Sequence, residues 1–197
     1  MRKVMLWVVT SLDGYTEAPG GEFVSPEWSP DLDAWTAELR ERADTLLFGR
    51  RTWEDLAQYW PAAEQDPATP AELEVARYMN ATPKIVFSRT LRSADGWANS
   101  RVADRDPAQL IAELRDQPGR DIALLGSADT AGTFIREDLA DEYCLLMLPR
   151  LFGGGTRLFA DGRPGRPLRL LHQRSMDTGA VFLRYARDRG RDAGGEV

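Results

Sequence analysis

Leu46-Leu47-Phe48-Gly49-Arg50-Arg51-Thr52-Trp53-Glu54 holds the residue types of most chemical promise in the chain. An apolar run that stops at glycine and resumes with polar, helix-compatible residues is a switch from strand to helix. The N–H groups of a helix's first turn have no partner within the helix, and anions, above all phosphates, bind there. Two arginines and the Thr52 hydroxyl stand at that spot. The spacing therefore points to a turn that holds a phosphate of a nucleotide cofactor. The same nine residues also fit an ordinary strand-to-helix turn with solvent-facing arginines.

Other chemistries are harder to build from this chain. Cys144, the one cysteine, lies in the apolar run Tyr143 to Leu148, so a disulfide within the chain is impossible and a buried, inert thiol is expected. His172 is the one histidine, which leaves no His/Cys cluster for a metal. A Ser-His-Asp mechanism would have to run through that residue, and it sits in the strand-like segment Leu168 to Met176. The net charge of −6 gives no general attraction to a nucleic acid backbone. Lys3 and Lys84 are the only lysines. The arginine excess favours bidentate phosphate contacts, although a codon bias explains the same count. Met1-Arg2-Lys3 and the short apolar run behind it do not form a signal peptide, and no stretch is long enough to span a bilayer. A cytoplasmic protein without a membrane partner is expected.

The elements that must position the arginine turn follow from periodicity. With 197 residues, 43% hydrophobic and 28% charged, the chain can bury a real core. Val4 to Val9 reads as a strand covered on both faces, ending in the polar turn Thr10 to Tyr15. A long Gly-, Pro- and Ser-containing loop follows. Ser29 is a candidate N-cap and Pro30 a first helical residue, with Leu32, Trp35 and Leu39 on one face. Thr45 to Phe48 is a strand, and the helix beyond Gly49 is expected from Thr52 to about Tyr59, stopped by Pro61. Residues 62–69 read as a surface connection. Ala71 to Asn80 is helical, Lys84 to Ser88 a strand, and Trp97 to Val102 a weaker strand. Pro107 to Asp116 is a helix, Asp121 to Gly126 a third strand-then-glycine unit, and Ser127 to Arg136 its helix. Glu142 to Leu148 is a strand, and Phe152 to Thr156 is a glycine turn. Leu168 to Met176 and Ala180 to Arg187 form a hairpin about Asp177-Thr178-Gly179. Residues 1–187 read as one domain and 188–197 as a flexible tail.

Strands alternating with helices imply a mostly parallel sheet with helices on both faces, closed by an antiparallel C-terminal hairpin. Four strand ends, Thr10–Gly14, Gly49–Thr52, Ser88–Thr90 and Gly126–Asp129, then share one edge, where ligands of such sheets lie. No stretch matches GxGxxG or the Walker pattern.

The chain resembles the dihydrofolate reductase superfamily, and within it the C-terminal reductase domain of bacterial bifunctional riboflavin deaminase-reductases. The resemblance rests on Ser11-Leu12-Asp13-Gly14, Phe48 to Glu54, Ile85 to Arg89, Leu125-Gly126-Ser127, Leu139 to Tyr143 and Pro149 to Phe159. These pieces occur in family order and span most of residues 4–187. It implies a dihydrofolate reductase-like three-layer α/β/α fold that binds NADPH and reduces a C=N or C=O of a small heterocycle. That substrate would be a pyrimidine of the riboflavin pathway or a pterin-like ring, and the likeness implies a homodimer; the alternative is an NADPH-binding sensor or a non-catalytic homodimeric relative. By position, Gly49, Arg50, Arg51 and Thr52 match the phosphate turn. Arg50 would pair with the 2′-phosphate, helped by Ser88 and Arg89. Gly126 and Ser127 match the pyrophosphate turn, although Asp129 follows them. Thr10 to Gly14 matches the loop beside the nicotinamide, with Asp13 a candidate proton source or a plain turn residue. Asp33, with Asp31 as its near alternative, matches the acid that anchors a pterin in the folate enzymes. An acid in a helix's first turn is also ordinary electrostatics. Trp28, Trp35, Trp53 and Trp60 are candidates to line a flat-ring pocket or to fill core. No deaminase zinc signature is present.

Overall fold

The computed structural model describes residues 1–159, 165–188 and 190. In chain order the elements are β1 (Val4–Ser11), β2 (Tyr15–Glu17), α1 (Pro30–Arg42), β3 (Ala43–Gly49), α2 (Arg50–Gln65), α3 (Pro70–Ala81), β4 (Lys84–Phe87), β5 (Ser100–Val102), α4 (Pro107–Asp116), β6 (Asp121–Leu124), α5 (Ala128–Arg136), β7 (Glu142–Leu148), β8 (Thr156–Arg157), β9 (Leu168–Ser175) and β10 (Val181–Arg187). Of the expected tail, residues 189 and 191–197 lie outside the described residues.

The main sheet runs β5-β4-β3-β6-β1-β7-β10-β9. Its first six strands are parallel, and β10 of the β9–β10 hairpin pairs antiparallel with β7. β1 is apolar without a break because both of its faces are covered. Met5 and Trp7 face Leu32, Trp35 and Leu39 of α1, together with Trp53 of α2 and Met79 of α3. Val4, Leu6 and Val8 face the opposite layer, where Ile111 of α4 and Phe134 of α5 are fully buried. Each such side chain contributes about 1.5–3 kcal/mol of hydrophobic burial. Helices α1, α2 and α3 thus pack on one side of the sheet, and α4 and α5 on the other.

Local signals account for most boundaries. Ser29 caps α1 through a Leu32 N–H bond of 3.2 Å, with Pro30 in the first turn. Thr69 and Asp106 cap α3 and α4 in the same way. Two expectations are corrected. Pro61 does not stop α2, which continues to Gln65 with the proline inside. Asn80 of α3 bridges the proline, donating to the Trp60 carbonyl at 3.1 Å and to Glu64 Oε2 at 2.5 Å. The missing N–H would have met the Ala57 carbonyl; Asn80 instead fixes the turn around the proline, from Trp60 to Glu64, against α3. The loop after β1 is also not featureless, because β2 pairs antiparallel with β8 as a small second sheet.

The amino-terminal ends of the parallel strands carry a charge network. Arg42 reaches Glu142 at 2.7 Å and Asp121 at 3.0 Å, and Lys3 reaches Glu142 at 2.8 Å. Burial is the largest single effect on the Glu142 carboxyl and pushes it up, but the bonds and charges of Lys3 and Arg42 together win and hold it below its usual value. Nearby, Lys84 is 1% exposed and donates to the carbonyls of Met79 at 2.6 Å, Thr82 at 2.7 Å and Asn80 at 3.1 Å. It thereby closes the C-terminus of α3. Burial brings its ammonium down to about 8.

Candidate functional site

Gly49 ends β3, and Gly126 lies two residues beyond the end of the neighbouring strand β6. The Gly49 N–H donates to the Gly126 carbonyl at 2.7 Å. From this point the chain departs to opposite faces of the sheet, into α2 on one side and α5 on the other. Such a divergence opens a crevice outside the strand ends. The two glycines exist because the helix starts interlock there. A Cβ on Gly49 would lie 2.5 Å from Thr130 Oγ1 and 2.6 Å from Ser127 Oγ, both from the α5 side. A Cβ on Gly126 would lie 3.0 Å from Thr52 Oγ1 of α2. The Gly126–Ser127 peptide is cis.

Neither helix start at the crevice has a side-chain cap, in contrast to α1, α3 and α4. Two sets of first-turn N–H groups, with the hydroxyls of Thr52, Ser127 and Thr130, therefore surround one spot. The positive ends of both helix dipoles favour an anion there. Asp129, the departure that spoke against this contact, is exposed to solvent. Arg50 and Arg51 are exposed at the start of α2, and among the described residues Arg50 makes only an exposed 3.3 Å pair with Glu54. Such a pair is worth little and leaves the guanidinium available. On the other side of β3, Gly49 pairs with Phe87, which places Ser88 and Arg89 at the same edge. The Ser88 hydroxyl shapes its own turn by accepting from Leu91 N at 2.9 Å and Thr90 N at 3.2 Å. Arg50, Ser88 and Gly126 thus sit at the ends of three adjacent strands.

β1 lies beyond β6, and its end carries Thr10, buried, and Ser11, level with Leu148 of β7. Asp13 and Gly14 follow, the latter at φ +84°. The Asp13 carboxylate accepts from the Ser11 hydroxyl at 2.6 Å, from Phe152 N at 3.0 Å and from Gly153 N at 2.8 Å. The Ser11 bond above all, with those two N–H groups, brings it down to about 2. A carboxylate so held is a poor source of a proton at neutral pH. On α1, Asp31 accepts from Asp177 N at 2.9 Å and so ties the helix to the β9–β10 turn. Asp33 is half-buried and free of that duty. Trp35 and Trp53 are core: Trp35 packs 5.1 Å from Trp7 and Trp53 Nε1 donates to Ser100 at 3.0 Å. Trp60 is half-buried and Trp28 is 38% exposed. Cys144 is fully buried and its thiol is pushed up to about 12, mainly by burial. His172 is exposed on β9.

Sequence reasoning missed Thr130 and the carboxylate bonds of Asp13. For Thr130 a signal existed, a hydroxyl three residues after Ser127 at the start of an expected helix. For Asp13 there was none, since its partners lie 139 and 140 residues away.

Residues 2–182 match the sequence profile of the RibD C-terminal domain. The chain belongs to that family. Among curated proteins this RibD C-terminal domain is 32% identical to the uncharacterized protein YyaP of Bacillus subtilis, over 93% of this chain and 94% of that one. It is 25% identical to YwjB of the same organism, over 94% and 98%. Solved structures share its fold. A candidate riboflavin biosynthesis protein from Shewanella superposes with a TM-score of 0.75 at 23% identity, covering 95% of this chain and 99% of the other. The deaminase and 5-amino-6-(5-phosphoribosylamino)uracil reductase of Thermotoga maritima superposes with a TM-score of 0.65 at 14% identity, covering 95% of this chain and 57% of the larger enzyme.

Proposed function

We propose that this RibD C-terminal domain is an NADPH-dependent reductase that transfers hydride to a C=N or C=O of a small heterocycle. The substrate class is a pyrimidine of the riboflavin pathway or a pterin-like ring. The observation that carries the reading is the pair of uncapped helix starts that interlock through Gly49 and Gly126. Donor N–H groups and hydroxyls converge there, with an available arginine beside them, and this suits a dinucleotide pyrophosphate.

When bound, the dihydronicotinamide supplies the hydride. The protein's part is to bind and orient. Gly126, Ser127, Thr130 and Thr52 hold the pyrophosphate, and Gly49 keeps the two helix starts close enough to do so. Arg50 takes the 2′-phosphate, with Ser88 and Arg89 from the adjacent strand end and Arg51 beside it. Thr10 and Gly14 border the ring end. Asp33, half-buried on α1, or a water beside it, delivers the proton to the acceptor. Pairing of two copies belongs to the same reading, supported by Leu168 and Leu170, exposed on the terminal strand β9.

The test is a titration of NADPH against NADH on wild type and Arg50→Ala. Wild type should prefer NADPH, and the variant should lose that preference by about 10–100-fold, the worth of a hydrogen bond to a charged group. Equal, weak binding of both cofactors by wild type overturns the reading. A screen of oxidised pterins, aminouracils and small ketones then identifies the acceptor.

A further inference from the structure

Asp13 spends its carboxylate on a connection that spans most of the sequence. Its three donors come from its own turn, through Ser11, and from the loop beyond β7, through Phe152 and Gly153. Other bonds run between the same two loops. Leu12 N donates to the Arg150 carbonyl at 2.8 Å, and Leu158 N to the Gly14 carbonyl at 3.1 Å. The β2–β8 pair continues the seam, where Thr156 Oγ1 donates to Glu17 Oε2 at 2.9 Å. Gly155, at φ +109°, passes so close to Glu17 that a Cβ there would lie 2.0 Å from the Glu17 carbonyl oxygen. The seam leaves two leucines exposed at the rim, Leu12 from one loop and Leu151 from the other, each adjacent to a clasped residue.

We infer that Asp13 is a positioning residue, an anionic clasp that fixes the Phe152–Gly155 turn against the loop after β1 and so shapes the wall facing the ring end of the dinucleotide. The inference rests on the proposed cofactor reading. Strands β4, β3, β6 and β1 are consecutive neighbours and span three inter-strand spacings, about 14 Å. A ligand with one phosphate at Ser88 and Arg50 and its pyrophosphate at Gly126 and Ser127 has its far end at the loop after β1. The two backbone N–H groups of the glycine turn need an acceptor with two oxygens at fixed separation, and a carboxylate supplies both. An asparagine keeps the shape but turns one oxygen into an NH2 group that opposes an N–H, so its effect separates charge and bonding from bulk.

The experiment compares wild type with Asp13→Asn and Asp13→Glu, using two probes, NADPH and 2′-phospho-ADP-ribose, which lacks the nicotinamide. Hydrogen exchange at the Phe152 and Gly153 amides is read in parallel. Asp13→Asn should weaken NADPH about tenfold and speed exchange at the two amides by a similar factor, the scale of one charge-assisted bond. Binding of 2′-phospho-ADP-ribose should not change, which a merely structural loss would not spare. Asp13→Glu should recover part of the NADPH affinity. Equal weakening of both probes, or no change in either, overturns the positioning role while the cofactor reading stands. Wild type that binds neither probe overturns the cofactor reading and this inference with it.

Discussion

Replacing Gly49 by alanine tests the interlock most directly. At φ −79° and ψ 159° the residue sits where alanine is equally at home. With free space around it, the change would stabilise the protein by about 0.4–1 kcal/mol through the unfolded chain. The surroundings reverse that sign. The new Cβ would lie 2.5 Å from Thr130 Oγ1, 2.6 Å from Ser127 Oγ and 3.0 Å from Ser127 N. The two hydroxyls can rotate away, but the backbone nitrogen cannot. Overpacking of this kind costs about 1–3 kcal/mol. The balance is a net loss of about 1–2 kcal/mol, or roughly 2–8 °C in Tm for a chain of this length. Thermal and urea unfolding followed by circular dichroism measure it. Combining the change with Thr130→Ala removes one overlap, and the pair should couple by at least about 0.5 kcal/mol. A Gly49→Ala protein as stable as wild type, or additive with Thr130→Ala, refutes the close approach of the two helix starts.

Three further outcomes follow from the far edge and the core. Glu142→Gln leaves Arg42 and Lys3 without their shared buried partner and should cost about 2–4 kcal/mol at neutral pH. Because the Glu142 carboxyl is held below 4.5, its contribution is present above that value and lost as pH falls through the lowered one, so the gap between wild type and Glu142→Gln should close in acid, as urea midpoints from pH 3 to 7 would show. Lys84 has the same sense in a higher window: its folded value of about 8 lies below the 10.5 of the free side chain, so the unfolded chain binds the extra proton between them. Wild type should gain about 3 kcal/mol over Lys84→Met as pH rises through that window, and a flat difference counts against it. Cys144, buried with a thiol pushed up to about 12, should resist a thiol reagent in the native protein and react fully in denaturant.

Much of the architecture was legible where local physics decides it. The bounds of α4 and β7 follow from a proline in the first turn and from an unbroken apolar run, and the structure returns both unchanged. The shared edge of the Gly49, Ser88 and Gly126 turns follows from strand–helix alternation alone. The α2 extension past Pro61 could not be read, because the tether that permits it comes from Asn80 on another helix. The β2–β8 pair is three residues against two, too short to show a period. Asp13 read equally as a proton source and as a turn residue, and its distant N–H partners reveal that its charge is already spent. Asp33 matched the anchoring position and Asp31 stood as its near alternative; the hairpin contact that occupies Asp31 could not be read from the sequence.

The ionic network of Arg42, Glu142, Asp121 and Lys3 occupies the floor of the sheet, while the glycine turns occupy its rim. Eight residues of β1 separate the two, about 25 Å of rigid strand. Tolerance to heat or acid can therefore be rewritten from below without disturbing what is recognised above. A laboratory wishing to harden this scaffold should work around the ionic floor, keeping Glu142 itself, and leave Gly49 alone.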